Sequence, residues 1–562
     1  MKKWQVENKK KIENDEDLIK VLLENRDIKT KSEIESFLNP DLSKATTNFV
    51  KIDKKELKKA IERINKAIKN KERIIVFGDY DVDGICGSAV LWETLNALKA
   101  DVLPFIPSRF EEGYGLSKQG IDNLLLKQKV DLIITVDNGI VASVAVEYAN
   151  KKGIDVIITD HHVPTKDLPK ALAIVHTTEL CGTGVAYMLS QAISNSQFPR
   201  LPKSGAGGQV ISTKTENDHL ELVALATVAD LVPLTGANRI LLYSGLKNLQ
   251  KTKRIGLLSL IEKSGIKAQD IGVYEIGHII APRLNAMGRL ESAMDSLRLI
   301  CTKDKKRADQ LAALLSNTNL ERQKITLEAL THAKSKIEEK EIKNLIFIAS
   351  ESYQQGIVGL VAGRLVEEYY FPSIVISKGK KYSKASARSV KGFNMIEFLR
   401  TASDLLVDVG GHAMAAGFTV ETSKLELLQK KLFENASKLL KKEHLERVLR
   451  IDLNLPQNLI NLETYSQIQK LAPFGMANPE PTFLTENLIV EGIRLVGSDG
   501  KHLKLQFKSQ NSKVKTMGIY FGAGENNKFS AGDRVNVVYT LDENEWNGNK
   551  TLQLKIKDLR IN

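Results

Sequence analysis

At 562 residues the chain exceeds what one hydrophobic core can organise, so about three or four domains are expected. Its 42% hydrophobic and 27% charged content is that of a soluble globular protein, and no uninterrupted apolar run approaches the roughly 18 residues needed to cross a bilayer. Lys and Arg outnumber Asp and Glu by 81 to 68, and the net charge of +13 suits a polyanionic partner, although a Lys-, Ile- and Asn-rich chain also spends lysine on ordinary solvated surface.

The N-terminus, MKKWQVENKKKIEN, is basic but has no apolar segment behind it, so no signal peptide is expected. Cys86, Cys181 and Cys301 are far apart and form no CxxC, which suits a reducing cytoplasm and speaks against a cysteine metal site. Residues 1–70 read as a polar, helical lead-in, with Leu57, Ile61, Ile64 and Ala67 on one face of KKELKKAIERINKAIKN. From 74 onward short apolar runs, IIVF (74–77), DVLPFI (101–106), LIITVD (132–137) and DVIITD (155–160), alternate with helical stretches. That alternation predicts βαβ units and a parallel sheet buried on both faces.

The Ser-, Gly- and Pro-rich stretch 194–219 reads as a loop or insertion, after which LELVALATVADLV (220–232) resumes the apolar pattern. A long helical region from about Ser292 to Lys340 reads as a connector. A second, smaller α/β module starts at NLIFIAS (344–350) and runs to GGHAMAAGF (410–418), with a basic helix at 423–444 behind it. From about 449 the tail is β-rich, with LIVEGIRLVG, HLKLQFK, VKTMGIYF, RVNVVYTLDENEW and LQLKIKDLR suggesting a small barrel of the OB type.

In an open parallel sheet, ligands bind beyond the carboxyl ends of the strands. Acidic residues gather there: Asp79, Asp81 and Asp83 after IIVF, Asp137 ending LIITVD, Asp160-His161-His162 after VIIT, and Asp230 closing ALATVAD. Singly, an Asp after a strand is more often a helix cap and a His pair more often surface. Four such features in one module point instead to a metal site. Oxygen and imidazole donors without thiolate suit Mn²⁺ or Mg²⁺, and a donor set this large suits two ions, the arrangement that drives phosphoryl displacement.

GDYDVDG (78–84), VDNG (136–139), DHH (160–162) and ATVADLVPLTGANR (226–239) resemble the four motifs of the DHH phosphoesterase superfamily, in particular its RecJ branch of single-strand-specific 5′→3′ exonucleases. Further similar stretches are IPSRFEEGYGLS (106–117), APRLNAMGRL (281–290), LERQ (320–323), SARS (386–389), GGHAMAAGF, LAPFGMANPEP (471–481) and NEWNG (544–548). The resemblance runs from near residue 70 to the C-terminus. It implies a helical extension (1–70), a DHH catalytic domain (71–290), a connecting helix (291–342), a DHH-associated substrate-binding domain (343–448) and a nucleic-acid-binding OB-fold (449–562).

Carried over by position, the resemblance implies Asp81, Asp83, Asp137, His161 and Asp230 as metal ligands, with Asp137 bridging. Asp79 and Asp160 would be direct or outer acidic partners, His162 would orient the scissile phosphate or protonate the leaving oxygen, and Asn238 and Arg239 would brace the Asp230 loop. For the uncut phosphates the chain offers Arg109, Arg283, Asn285 and Arg289 (the last three in a tight polar turn), Ser386, Arg388 and Ser389, and a backbone cradle at Gly410-Gly411-His412. The resemblance places DNA between the two α/β modules, some of these groups holding its 5′ phosphate. Phe507, Tyr520, Phe521, Tyr539 and Trp546 in the tail are stacking candidates, though strand aromatics are more often core.

Three features depart from the family pattern: Tyr353-Gln354 in place of Trp-His, a short run AIVHTTEL after DHH with a long 194–219 insertion, and Ala477 in place of Gly. The activity that the resemblance implies is metal-dependent hydrolysis of single-stranded DNA from its 5′ end to mononucleotides, in repair and recombination. It also implies a single-strand-binding protein and a helicase as partners, with the enzyme expected to be a cytoplasmic monomer. The alternatives are a DHH phosphodiesterase for short oligoribonucleotides or cyclic dinucleotides, and a catalytically dead scaffold that would have lost its metal aspartates.

Overall fold

The structure, a computed structural model, describes residues 2–109, 111–113, 115–197, 219–339, 342, 344–497, 499–509, 512–524, 527–546 and 549–562. Most of the 194–219 stretch thus lies outside the described residues. Among them, no helix is long and apolar enough to cross a membrane. The chain divides into two compact units, one of 282–296 and 306–447, the other of 2–281, 297–305 and 448–562.

The second unit holds strand β1 (Lys3–Asn8) and the catalytic sheet of β2 (Ile74–Gly78), β3 (Val102–Phe105), β4 (Leu132–Val136), β5 (Asp155–Asp160) and β6 (Ala173–His176). The sheet is parallel throughout, in the order β3-β2-β4-β5-β6. The four apolar runs are β2 to β5, while β6 is a short strand whose four residues gave no separate signal. Every residue of β2 and β4 is buried, as continuous Ile/Val runs require when both faces are covered. One face packs Ile75, Phe77, Ile133 and Ile158 on Ile121, Leu124, Val146 and Ala149 of helices Lys118–Lys127 and Ser143–Lys151. The chain leaves β2 to one side for β3 and returns to its other side at β4, so the strand order reverses between β2 and β4. That reversal opens a crevice at their carboxyl ends.

In the first unit lie β7 (Ile346–Ser350), β8 (Ser373–Ser377), β9 (Tyr382–Arg388), β10 (Leu406–Gly411) and β11 (Ala415–Glu421), in the order β10-β11-β9-β8-β7. Only β7 and β8 are parallel. Val358, Val361, Ala362 and Leu365 of helix Val358–Tyr369 cover one face, together with Ala329, Ala333 and Ile337 of the connecting helix. That connecting helix, Lys305–Glu338, spans 34 residues, roughly 50 Å. Tyr353 is buried and its hydroxyl meets His332 Nδ1 at 2.8 Å, so the departure at 353 forms a core contact within this unit.

Back in the second unit, β12 (Val448–Asn454), β13 (Phe483–Val496), β14 (His502–Ser509), β15 (Ser512–Tyr520), β16 (Arg534–Trp546) and β17 (Asn549–Ile561) follow. The ring β13-β14-β15-β17-β16 closes through pairing of β16 with β13, giving the five-stranded OB-type barrel. Phe507 and Tyr539 belong to its core, Tyr520 is half-buried beside Asp558, and Phe521 is exposed.

The N-terminal lead-in is helical only from Asp15. Before it, β1 lies parallel to β12, and Trp4 and Val6 pack on Ile451, Leu484 and Val538. The alternation in KWQVEN carries that signal, masked by its polar residues. A second correction concerns APRLNAMGRL, which is a helix, Ala281–Leu290, and no turn. Pro282 lies inside a helical run that continues from the π-turn Ile276–Ile280, a local widening that can accommodate a proline, and the Leu, Ala, Met and Arg that follow favour the helix enough to carry Gly288.

Candidate metal centre

The carboxyl ends of β2, β4 and β5 bring the predicted acidic residues together. Asp81 caps helix Val82–Ala97, its Oδ1 accepting the amides of Asp83 and Gly84 at 3.0 Å each. Gly84 lies so close to the Asp79 backbone that a Cβ there would come within 2.5 Å of it, so only glycine lets the helix start beneath the site. Asp137 follows β4 with φ +62°, a left-handed conformation that Asp and Asn tolerate better than most residues.

The candidate ligand atoms form three groups, each within 4.8 Å: Asp79, Asp81 and Asp137; Asp83, His161 and Asp230; and Asp137, His161 and His162. Asp137 is common to the first and third. His161 Nε2 sits 3.2 Å from Asp137, 3.5 Å from Asp230 and 3.8 Å from Asp83. Asp79 Oδ1, Asp137 Oδ1 and His161 Nε2 are buried without a hydrogen-bond partner among the described residues. Burial, reinforced by neighbouring carboxylates, raises Asp79, Asp81 and Asp137, and pushes Asp230 up to about 9. Burial, the largest influence on His161, lowers it, with His162 adding to the effect and Asp83 opposing it, which favours the neutral, ligating form.

Buried carboxylates that repel one another, and orphaned ligand atoms that converge, are what a divalent cation would compensate. The donors are all oxygen and nitrogen, so the residues fit Mn²⁺ or Mg²⁺. Two sets that meet at Asp137 and His161 fit a pair of ions.

Asp160 stands outside these groups. Its Oδ1 accepts the amides of His161 and His162 at 2.7 and 3.1 Å and His162 Nδ1 at 2.8 Å, while Oδ2 accepts the Ile140 amide at 2.9 Å. It therefore shapes the histidine turn. Burial works against the charge on Asp160, but His162 and these amides outweigh it and hold the carboxyl below its usual range. Burial likewise disfavours protonated His162, and the Asp160 contact outweighs it and raises the imidazole. With Asp160 accepting from Nδ1, that nitrogen carries the proton and Nε2 is the end that can exchange one. Arg109 lies with its guanidinium 5.0 Å from the Tyr80 ring centroid, beside the DYDVD segment as its loop position predicted.

Two residues of the site escape the motif reading. The amides of Gly182 and Thr183 each donate to the Asp83 carboxylate at 2.6 Å, so the N-terminus of helix Gly182–Gln197 fixes that side chain. A Cβ on Gly182 would lie 2.7 Å from Asp137 Oδ1. Gly182→Ala is therefore expected to slow hydrolysis by about 10–100-fold, the usual cost of disturbing a partner that orients a ligand. A steady-state assay with Mn²⁺ checks it; an unimpaired variant would show that Asp137 has room to move.

Arg239 makes its contacts away from the Asp230 carboxylate. It is buried, donating to the carbonyls of Phe37 and Ala472 at 2.8 Å each, with its guanidinium 3.7 Å from the Phe37 ring centroid. It thus braces elements around the Asp230 loop through backbone carbonyls, while Asn238 is buried on the same helix.

In the first unit, three predicted positions, Ser386, Arg388 and Arg289, converge on the N-terminus of helix Val358–Tyr369. Arg388 donates to Ser386 Oγ at 3.0 Å, and a Cβ on Gly359 would lie 2.9 Å from that oxygen and 3.0 Å from Arg388 Nη2. Arg289 donates to the Gly356 carbonyl at 3.0 Å, just before the same helix. Such an N-terminus beside an arginine is suited to phosphate. Arg283 and Asn285 share the 281–290 helix with Arg289. Ser389 donates its amide to Met414 and is structural. The Gly410-Gly411-His412 segment is a tight hairpin between β10 and β11, in which the His412 amide donates to the Ala415 carbonyl at 2.7 Å. That amide is committed to the turn.

Comparison with known proteins agrees with this architecture. Residues 73–227 match the DHH family N-terminal domain, 341–438 the DHHA1 domain and 451–558 the RecJ OB domain. A single-stranded-DNA-specific exonuclease RecJ of Bacillus subtilis is 36% identical over 557 residues, covering 97% of this chain and 68% of the relative. That of Haemophilus influenzae is 32% identical, covering 89% of this chain and 90% of the relative. The crystal structure of RecJ from Thermus thermophilus with Mn²⁺ superimposes with a TM-score of 0.81 at 28% identity, covering 99% of this chain and 79% of that one. The Mg²⁺ complex from the same organism gives a TM-score of 0.75 at 27% identity. On its three domains, its near full-length identity and its shared architecture, the chain belongs to the RecJ family.

Proposed function

We propose that this chain is a divalent-metal-dependent exonuclease that hydrolyses single-stranded DNA from its 5′ end to mononucleotides, serving DNA repair and recombination. The observation that carries the reading is the meeting of two donor sets, Asp79/Asp81/Asp137 and Asp83/His161/Asp230, around orphaned atoms of Asp137 and His161. Bound there, two cations would supply an activated water and neutralise charge on the transferring phosphoryl group. His162, oriented by Asp160 through Nδ1, hydrogen-bonds the scissile phosphate or protonates the leaving oxygen from Nε2. Arg109 contacts a nearby backbone phosphate. Ser386, Arg388 and Arg289 at the N-terminus of helix Val358–Tyr369 hold the 5′-terminal phosphate, with Arg283, Asn285, Gly410, Gly411 and His412 contributing to the strand path.

The domain boundaries follow the proposed roles: catalytic 71–290, connecting 291–342, substrate-binding 343–448 and nucleic-acid-binding 449–562, after an extension of 1–70. A single-strand-binding protein and a helicase are the fitting partners of a cytoplasmic monomer. Digestion of single- and double-stranded DNA labelled at either end, with Mn²⁺, Mg²⁺ or chelator, tests the proposal. The expected result is release of labelled mononucleotide only from the 5′-labelled single strand and only with metal. Preference for a dinucleotide over long DNA would instead favour an oligonucleotide phosphodiesterase.

A further inference from the structure

Asp230 closes helix Leu220–Ala229 and starts a loop that ends where helix Gly236–Leu249 begins. Unlike the other candidate ligands, it is not carried on a strand end or a helix start, and its side chain is 26% exposed. Something else must hold the loop. The Leu234 amide donates to the Met476 carbonyl at 2.8 Å, and Leu234 is buried. A Cβ on Gly475 would lie 2.6 Å from Leu234 Cδ1, so glycine is what allows this approach. Arg239, just beyond the loop, donates to the Ala472 carbonyl. Both anchors of the Asp230 loop thus rest on one turn of the C-terminal domain.

That turn is itself rigid. Gly475 and Asn478 exchange backbone hydrogen bonds at 2.8 and 3.2 Å. The fully buried Asn478 donates to the carbonyls of Leu471 and Pro473 at 2.9 Å each, and its Oδ1 accepts from Arg26 Nε at 2.7 Å. Arg26 also donates to the carbonyls of Pro479 and Leu22 and pairs with Asp452 at 3.5 Å. Ala477 holds φ +59°, the left-handed conformation in which glycine would be unstrained.

We propose that the 471–479 turn is a positioning element of the metal centre: through Leu234 and Arg239 it sets where the Asp230 carboxylate stands, so Gly475, Asn478 and Arg26 govern metal occupancy and not strand affinity. The proposal rests on Asp230 being a ligand. Coordination distances are held to within about 0.2 Å, so a small shift of the loop weakens metal binding well before it unfolds anything.

The test compares the full-length parent with Gly475→Ala, the double variant Gly475→Ala/Leu234→Ala, Arg26→Lys and Asp230→Asn, measuring hydrolysis of labelled single-stranded DNA against Mn²⁺ and against DNA, with a thermal melt of each. Gly475→Ala is expected to raise the Mn²⁺ half-saturation about 10–100-fold, the scale of a lost ligand-orienting partner, and to leave the KM for DNA unchanged. The double variant, which removes the leucine tip the new methyl would strike, is expected to recover much of the loss. Arg26→Lys, which keeps the charge but loses the forked hold on Asn478 and Pro479, reads the same quantity should Gly475→Ala fail to fold. A raised KM for DNA with unchanged Mn²⁺ response, in either variant, overturns the proposal in favour of strand binding. Asp230→Asn separates the two failures: an unchanged Mn²⁺ response there would remove the ligand reading itself, whereas a weakened one with Gly475→Ala and Arg26→Lys unaffected would remove only the turn's role.

Discussion

Asp137→Asn is expected to reduce hydrolysis at least about 10³-fold, beyond the roughly 10–100-fold typical of an outer partner. Asp137 takes part in two of the candidate ligand groups, and its Oδ1 is buried without a hydrogen-bond partner among the described residues. An amide presents a weaker oxygen donor and carries no charge to balance a cation. Asn is the informative replacement because the position has φ +62°, which Asn adopts readily and Ala does not. The variant should therefore fold, and DNA binding measured without turnover should persist through Arg109 and the basic groups of the substrate module. Activity within tenfold of the parent would mean that Asp137 is not shared between two ions.

The core of this site was legible because β2, β4 and β5 are compact apolar runs and each leads directly into an acidic residue. β2, β4 and β5 therefore point Asp79, Asp137 and Asp160 to one edge by topology alone. What escaped were contacts made by backbone across long sequence separations. Nothing local to Gly182 and Thr183 indicates that their amides bind a carboxylate a hundred positions earlier, since any helix N-terminus offers the same donors. Arg239 reads as a brace for its own loop, but its acceptors at Phe37 and Ala472 are carbonyls, which carry no side-chain signature. The 281–290 helix was masked by Pro282 and Gly288, residues read as turn formers although one follows a π-turn that can accommodate it and the other is merely a weak helix former. Side-chain chemistry at strand ends is thus written in the sequence, whereas its backbone supports emerge only from the fold.

Removing divalent metal should destabilise the catalytic module, and the sign of the effect in a variant is the sharper test. In the parent, Asp79, Asp81, Asp83, Asp137 and Asp230 stand together, and burial with mutual repulsion raises four of them, so the folded state without cations carries an electrostatic strain. A cation that binds only the folded state relieves it and adds about 2.7 kcal/mol at a hundredfold excess over its dissociation constant. Melting followed by circular dichroism should therefore move up with Mn²⁺ and down with chelator. In Asp137→Asn the order reverses. The amide removes one buried charge and can donate to neighbouring carboxylates, so this variant should melt above the parent in chelator. The gain should be of the order of 1–3 kcal/mol, the cost of an unsatisfied buried polar group. Its response to Mn²⁺ should shrink correspondingly. A variant less stable than the parent in chelator, with an undiminished Mn²⁺ response, would show that these carboxylates are held by the fold for its own stability. The expected pattern identifies them as a cluster kept at a cost to the apoprotein because only the metal-loaded enzyme has to work.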